Sequence, residues 1–464
     1  MIVMKFGGTS NQDARAIANV VQIVESHRDS KPIVVISAVA QATNMLERIA
    51  RRASEGTSGK ACDAISEFFE KHYTIADDLI KNDERRTEMH RTLQAARAEM
   101  EELVKGVEIL RELTARTLDA FYSFGELLSS RLVVAGMQEH GIAAQWLDTQ
   151  EFMITDENHN AALPNMDVVR ERLNKLVVPV LKRNVIPVTQ GFIGATPKGL
   201  RTTMGRESSD YSASIIGAAL HSEEIQIWTD VDGILTSDPR VVSSPKKINS
   251  MSFEEALELS YFGAKVLHPN TMLPAMEMNI PIRILNSRRP RLTGTRITSE
   301  SFVGKPLVKS IAYKLNISLV TISPKQRYGQ YIFWEHIYSI LTKFRATANL
   351  STTSEYKISF TLDTTDNLPA IVHALEEVGV GRVVNGRGIV CLVGENIGET
   401  PGFLEKIFHS TSGCPVELIS FGASNSSLSL VMDEQEVPNE VRKLHAEFFE
   451  SSDSEEFETG SHDH

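Results

Sequence analysis

Met1-Ile-Val-Met-Lys-Phe-Gly-Gly-Thr-Ser10 opens the chain and sets its architecture. Ile2 to Phe6 is a short apolar run of the kind that forms a buried strand. It ends on two glycines and two hydroxyls. From Gln12 to His27, apolar residues recur at Ile17, Val20, Val21 and Val24, the spacing of one helix face. A strand, a glycine turn and a helix in that order make a site for anions. The glycines let backbone approach closely, the first helical N–H groups lack internal partners, and the helix dipole favours negative charge. Lys5 adds a full positive charge beside the turn. The spacing is not GxxxxGK[ST], and taken alone a plain strand-to-helix turn with a surface lysine accounts for it equally well.

The pattern continues outward. Pro32–Ala38, Val185–Gln190, Glu224–Thr229 and Ile280–Leu285 are short and β-branched, as buried strands of a mostly parallel sheet are. Long amphipathic stretches lie between them, most of them within Met45–Arg116. This alternation predicts an α/β sheet sandwiched by helices. Asn286-Ser-Arg-Arg-Pro-Arg-Leu-Thr-Gly-Thr295 is polar, basic and broken by Pro290 and Gly294, so a boundary is expected there.

Beyond it the chain repeats itself. A shift of 70 residues lays Leu319-Val320 on Ile389-Val390, Ile322 on Leu392 and Ser354 on Ser424. The same shift lays Ile358 on Leu428, Phe360 on Leu430, Leu362 on Met432 and Asp363 on Asp433. Each copy reads as a strand, a helix, two strands joined by a Ser/Thr-rich turn, and a second helix (Leu368–Val378 and Val437–Phe448).

Composition narrows the class. The chain has 464 residues, enough for two or three domains. Hydrophobic content of 42% and charged content of 23% are those of a soluble globular protein. No apolar stretch approaches the roughly 18 residues of a membrane span, and no export signal is expected. Cys62, Cys391 and Cys414 are widely spaced with no CxxC pair, which argues for a reducing cytoplasm and against a disulfide frame or zinc site. Each is expected as a small buried apolar residue. The net charge is −12, and six acidic residues with no Lys or Arg lie in Glu450–His464, which reads as a disordered, solubilising tail. The body has no basic face for nucleic acid.

Lys5-Phe-Gly-Gly-Thr-Ser10 resembles the first signature of aspartate kinases. Four later segments resemble the same family in the same order: Ser123-Phe-Gly-Glu126, Gly205-Arg-Glu-Ser-Ser-Asp210, Trp228-Thr-Asp-Val-Asp-Gly233 with Asp238-Pro-Arg240, and Phe262-Gly-Ala-Lys-Val-Leu-His-Pro269. The resemblance runs to about Phe449. It implies an amino acid kinase domain over residues 1–295, followed by two βαββαβ ferredoxin-like ACT domains at 309–385 and 386–449. The implied reaction is ATP-dependent phosphorylation of L-aspartate to L-aspartyl-4-phosphate, the entry step to lysine, threonine and methionine. An amino-acid effector and a homodimer or higher homo-oligomer through the ACT units are implied as well. A fused homoserine dehydrogenase is not expected.

The resemblance also implies roles. Lys5 would be the catalytic lysine, with Asp210 orienting it; by position alone Asp210 also reads as a helix N-cap before Tyr211–Ala219. Arg206 offers a planar fork for a carboxylate and Glu126 an anion for an ammonium, with Thr43 and Ser209 completing the aspartate site. ATP would meet Gly7, Gly8, Ser10, Thr229, Asp230, Leu235, Arg240, Lys265 and Val266, and Thr229-Asp230 indeed follow a predicted strand where a parallel sheet places its ligand. His268-Pro269 reads as structural. Mg²⁺ is expected on the phosphates, with no committed protein ligand. The chemistry suits these groups, because an ionised acceptor needs positive charge and positioning more than proton removal.

Two departures stand out. Glu207-Ser208 replace the family's usual glycines, which removes φ > 0 freedom and adds an anion near the acceptor. In the first ACT unit Asn349 stands where lysine-inhibited relatives have Asp, and Arg327 stands near it, with Gln330 the third effector candidate. A neutral amide and an added cation disfavour a cationic effector. The rival readings are another kinase of this fold, acting on glutamate, acetylglutamate, carbamate or a nucleotide, or a non-catalytic amino-acid sensor with a degenerate kinase body.

Overall fold

Strand β1 (Ile2–Phe6) is buried along its whole length and pairs in parallel on both sides, which makes it a central strand. The computed structural model describes residues 1–205, 208–262, 267–300, 308–325, 329–450 and 457–458. They form two units, Met1–Ile234 with Leu267–Ser299, and Leu235–Val266 with Glu300–His464.

In the first unit β1 is joined by β2 (Ile33–Ile36), β3 (Ala144–Trp146), β4 (Ile186–Gln190), β5 (Glu224–Thr229), β6 (Ile282–Asn286) and β7 (Thr295–Thr298), in the order β3-β4-β2-β1-β5-β6-β7. All these pairings are parallel except β6 with β7. Successive residues of a strand face opposite sides. Ile2, Met4 and Phe6 join a core built with α1 (Ala14–Ser26), α2 (Ala42–Ser54), α3 (Ser58–Leu79), α4 (Asp83–Leu110) and α5 (Ala115–Glu139). Val3 and Lys5 face the other side, which α6 (Ser208–Leu220) covers. That helix is lined by Ser, Ala and Gly, and it lies close on the sheet. Any Cβ at Gly191, just after β4, would come within 2.8 Å of the Ser209 backbone, so this turn tolerates only glycine.

The expected boundary at Asn286–Thr295 is instead the loop of a hairpin. Thr295–Thr298 returns antiparallel to β6, and the Thr295 hydroxyl accepts the Ile234 N–H at 2.8 Å. The second unit also takes in Leu235–Val266, which the sequence reading assigned to the 1–295 body. Side chains there bond within the second unit: Ser237 to the Ile311 carbonyl, and Thr236 to His445.

Strands β8 (Ser310–Pro324), β9 (Ser351–Thr353), β10 (Ile358–Asp363), β11 (Gly379–Val393), β12 (Leu418–Phe421) and β13 (Ser427–Asp433) form one sheet, in the order β9-β10-β8-β11-β13-β12. The 70-residue repeat is its pairing rule. Ile317, Val320 and Ile322 face Asp363, Phe360 and Ile358, while Arg387, Val390 and Leu392 face Asp433, Leu430 and Leu428. The two copies are also interlocked. The first half of β8, Ser310–Lys314, pairs with the second copy's strand at Ile389–Val393, and the first half of β11 pairs with the first copy's strand. Helices Leu368–Val378 and Val437–His445 lie where the periodicity put them, the second followed by a π-helical turn over Ala446–Glu450. In the acidic tail Phe457–Glu458 pairs as a short strand with Lys247–Ile248. Cys391 is buried as expected, but Cys62 is exposed and Cys414 half-buried.

Candidate active site

Lys5 sits one residue before the end of β1, on the α6 face, and its Nζ lies 2.6 Å from Asp210 Oδ1. This close ion contact is not aligned as a hydrogen bond. Asp210 stands inside the first turn of α6, because the helix begins at Ser208, so it is not the N-cap the sequence suggested. An acid there is favoured by the helix dipole. One residue earlier, Ser209 donates to Glu126 Oε1 at 2.6 Å, and the Ala38 N–H reaches the same oxygen at 3.4 Å. Lys5, Glu126 and the adjacent Ser209 and Asp210, three places far apart in sequence, thus share one cluster.

Glu126 is 4% exposed, and its Oε2 has no hydrogen-bond partner among the described residues. Burial pushes its carboxyl up to about 8, against the opposing pull of the Ser209 hydroxyl and the Lys5 charge. A buried acceptor with no donor is costly, and an incoming cation relieves that cost. The loop before α2 is held in place by Ala40, whose N–H donates to the Gly8 carbonyl at 3.1 Å and whose carbonyl accepts from Lys71 Nζ at 2.9 Å. Thr43 follows, exposed at the start of α2.

After β1, Gly8–Asn11 make a short 3-10 turn, and α1 starts only at Ala14 with Asp13 accepting from the Ala16 N–H. An anion site at the α1 N-terminus is therefore not formed, since a carboxylate already occupies it. The Ser10 hydroxyl donates to Ser287 at 2.8 Å, and Ser287 donates to the Thr229 carbonyl at 3.0 Å, which joins the turn to the end of β5. Ser287 was not foreseen, because it lies in what read as a linker. Asp230 is exposed at that strand end.

In the second unit Leu235 is half-buried and its carbonyl accepts from Ser310. The exposed Arg240 guanidinium is bonded to Asp238 at 2.5–3.0 Å and holds that carboxyl below its usual range. His268 caps the helix Pro269–Glu277 by accepting from the Asn270 N–H, the structural role anticipated for it. Gln330 opens the helix Gln330–Lys343. Asn349 is engaged: Lys314 Nζ donates to its Oδ1 at 2.9 Å and lies 2.7 Å from Asp363, to which Asn349 Nδ2 also donates. Arg206, Glu207, Lys265, Val266 and Arg327 lie outside the described residues.

The amino acid kinase family model matches residues 1–286, and an ACT domain model matches residues 390–448. The chain is 36% identical to the chloroplastic aspartokinase 3 of Arabidopsis thaliana, over 98% of this chain and 82% of that one. It is 33% identical to the lysine-sensitive aspartokinase 3 of Escherichia coli, over 97% and 99%. Among solved structures, E. coli aspartokinase III in complex with aspartate and ADP superposes with a TM-score of 0.84 at 32% identity, covering 97% of this chain and all of that one. The same enzyme with lysine and aspartate gives 0.79.

Proposed function

The chain belongs to the aspartokinase family, and on that premise we propose how its residues transfer the γ-phosphoryl group of ATP to the side-chain carboxylate of L-aspartate. The observation that carries the residue assignment is the cluster of Lys5, Asp210, Ser209 and Glu126 at one end of the parallel sheet. Lys5 neutralises the phosphoryl group in transit, and Asp210 keeps it aimed. Glu126 takes the α-ammonium of aspartate onto its unpartnered oxygen, Arg206 grips a carboxylate, and Thr43 and Ser209 complete the acceptor site. The Gly7–Ser10 turn, Thr229, Asp230, Leu235, Arg240, Lys265 and Val266 serve the nucleotide; for Arg240 this requires release from Asp238. Mg²⁺ carried on the ATP phosphates, with no protein ligand assigned, would supply further positive charge there. No proton need be removed from an ionised acceptor, so positioning and charge supply the catalysis.

Residues 1–295 act as the catalytic span, and the interlocked ACT units, 309–385 and 386–449, as the regulatory one. The exposed edge strand Ser351–Thr353 supports a homo-oligomer formed through these units, and the unpaired thiols support a reducing, cytoplasmic compartment. Lys314 on Asn349 and Asp363 supports an uncharged effector such as threonine over lysine.

A hydroxamate assay for acyl phosphate tests the reaction, with product expected from aspartate and not from glutamate or acetylglutamate. Arg206→Ala should raise KM for aspartate and leave KM for ATP almost unchanged. The opposite pattern would place Arg206 on the nucleotide.

A further inference from the structure

Asp119 lies on α5 seven residues before Glu126, two helical turns away and about 10 Å along the same face. It is fully buried, yet no part of the reaction as described uses it. Its carboxylate gathers three partners from two other segments. His159 Nδ1 lies 2.6 Å from Oδ2, the Asn160 N–H lies 3.2 Å from both oxygens, and the Thr203 hydroxyl donates to Oδ1. Burial raises its pKa, opposed by the Thr203 and His159 contacts.

These partners lead to the acceptor site. Thr203 ends a strand, Arg201–Thr203, whose carbonyl at Thr203 accepts the Ala162 N–H at 3.0 Å. Two residues on, Gly205 takes φ +92, where a side chain would be strained, and a Cβ there would come 3.4 Å from the Asn160 carbonyl. The Gly205 carbonyl accepts from Ser208 at 2.6 Å, and Ser209 then meets Glu126. A closed path therefore runs from Asp119 through Thr203, Gly205 and Ser208 to Ser209, and back through Glu126 to the same helix. The geometry points to Asp119 as a positioning residue of the acceptor site: through Thr203, Gly205 and Ser208 it fixes Ser209 relative to Glu126. This rests on the acceptor site proposed above.

Asp119→Asn keeps the shape but removes the charge and turns one acceptor into a donor. It should raise KM for aspartate about tenfold, the equivalent of one strong hydrogen bond, with KM for ATP within about twofold of wild type. Thr203→Val and His159→Gln should each give a smaller rise of the same kind, and they carry the test if Asp119→Asn does not fold. Melting followed by circular dichroism separates stability from binding. A lowered Tm with both KM values unchanged would reduce Asp119 to a structural residue and overturn the inference. Arg206→Ala is the reference. If it raises the aspartate KM and no variant of the Asp119 group does, the inference alone fails. If Arg206→Ala also has no effect, the acceptor assignment fails and takes the inference with it.

Discussion

Each unit contains a lysine paired with a carboxylate, and the two pairs are built differently. In the first unit Lys5 and Asp210 keep 10% and 14% of their side chains exposed and meet at 2.6 Å without hydrogen-bond alignment. In the second unit Lys309 and Glu255 are each 1% exposed, and Lys309 donates to Glu255 Oε2 at 3.0 Å. Glu255 accepts on the same oxygen from the Ser252 N–H at 2.7 Å, closing a capping box on the helix Phe253–Tyr261. The sealed pair is committed to architecture: one Glu255 oxygen holds both the Lys309 ammonium and the Ser252 N–H, and at 1% exposure no anion can reach the lysine. The open pair keeps its cation partly exposed, as the phosphate-binding role proposed for Lys5 requires. If Lys5 has the role proposed for it, burial and orientation, more than the residue types, separate a structural ion pair from a working one.

The largest effect is expected where the sealed pair is broken. Lys309→Ala leaves a buried carboxylate without its cation, which costs about 3–5 kcal/mol. Urea unfolding should show that loss, and replacing both residues by Met should recover most of it. A Lys309→Ala variant of unchanged stability would erase the contrast. Next in size, Lys5→Ala should lower kcat at least about a hundredfold, or about 2.7 kcal/mol of transition-state stabilisation, with a smaller change in KM. Its Tm should stay close to that of wild type, and near-normal turnover would end the assignment of Lys5 to catalysis.

Glu126 sharpens the comparison, as a buried carboxylate left short of partners. Burial raises its pKa from 4.5 to about 8. Between those values the folded protein holds a proton that the unfolded chain has released. Stability from this group is therefore present below pH 4.5 and declines as pH rises to about 8, by up to about 1.4 kcal/mol per pH unit. Glu126→Gln should flatten that decline in urea titrations run at successive pH values. In the active enzyme KM for aspartate should fall as pH climbs towards 8, since the ammonium of the substrate needs the anion, and the glutamine variant should lose that trend. A wild-type KM that is flat with pH would contradict the role given to Glu126.

The smallest effect belongs to a third lysine. Lys314 and Asp363 are 27% and 51% exposed, so Lys314→Gln should shift stability by less than about 1 kcal/mol. Isothermal titration should find lysine binding weak or absent at millimolar concentration. Micromolar lysine binding coupled to inhibition would show that the charge around Asn349 does not set effector choice.

Sequence alone determined whatever depends on neighbours along the chain. The β-branched runs gave β1, β2, β4, β5 and β6 to within a few residues, and the repeat of 70 residues gave the order of strands and helices in both ACT copies, because alternation and turn chemistry are local. The motifs also named Lys5, Glu126, Ser209 and Asp210. Tertiary structure decided what those residues do to each other. Strand alternation put Lys5 on the face that α6 covers, and only the packing of α6 brought Asp210 to it. Asp119 carries no signal in a helical sequence, since its partners at His159 and Thr203 arrive from other segments. Asn286–Thr295 was polar and broken like a linker, yet the apolar residues flanking it closed a hairpin. Polar loops look alike in sequence. Which of them joins two strands of one sheet is settled by the apolar surface buried on either side, and that sum runs over residues far apart in the chain.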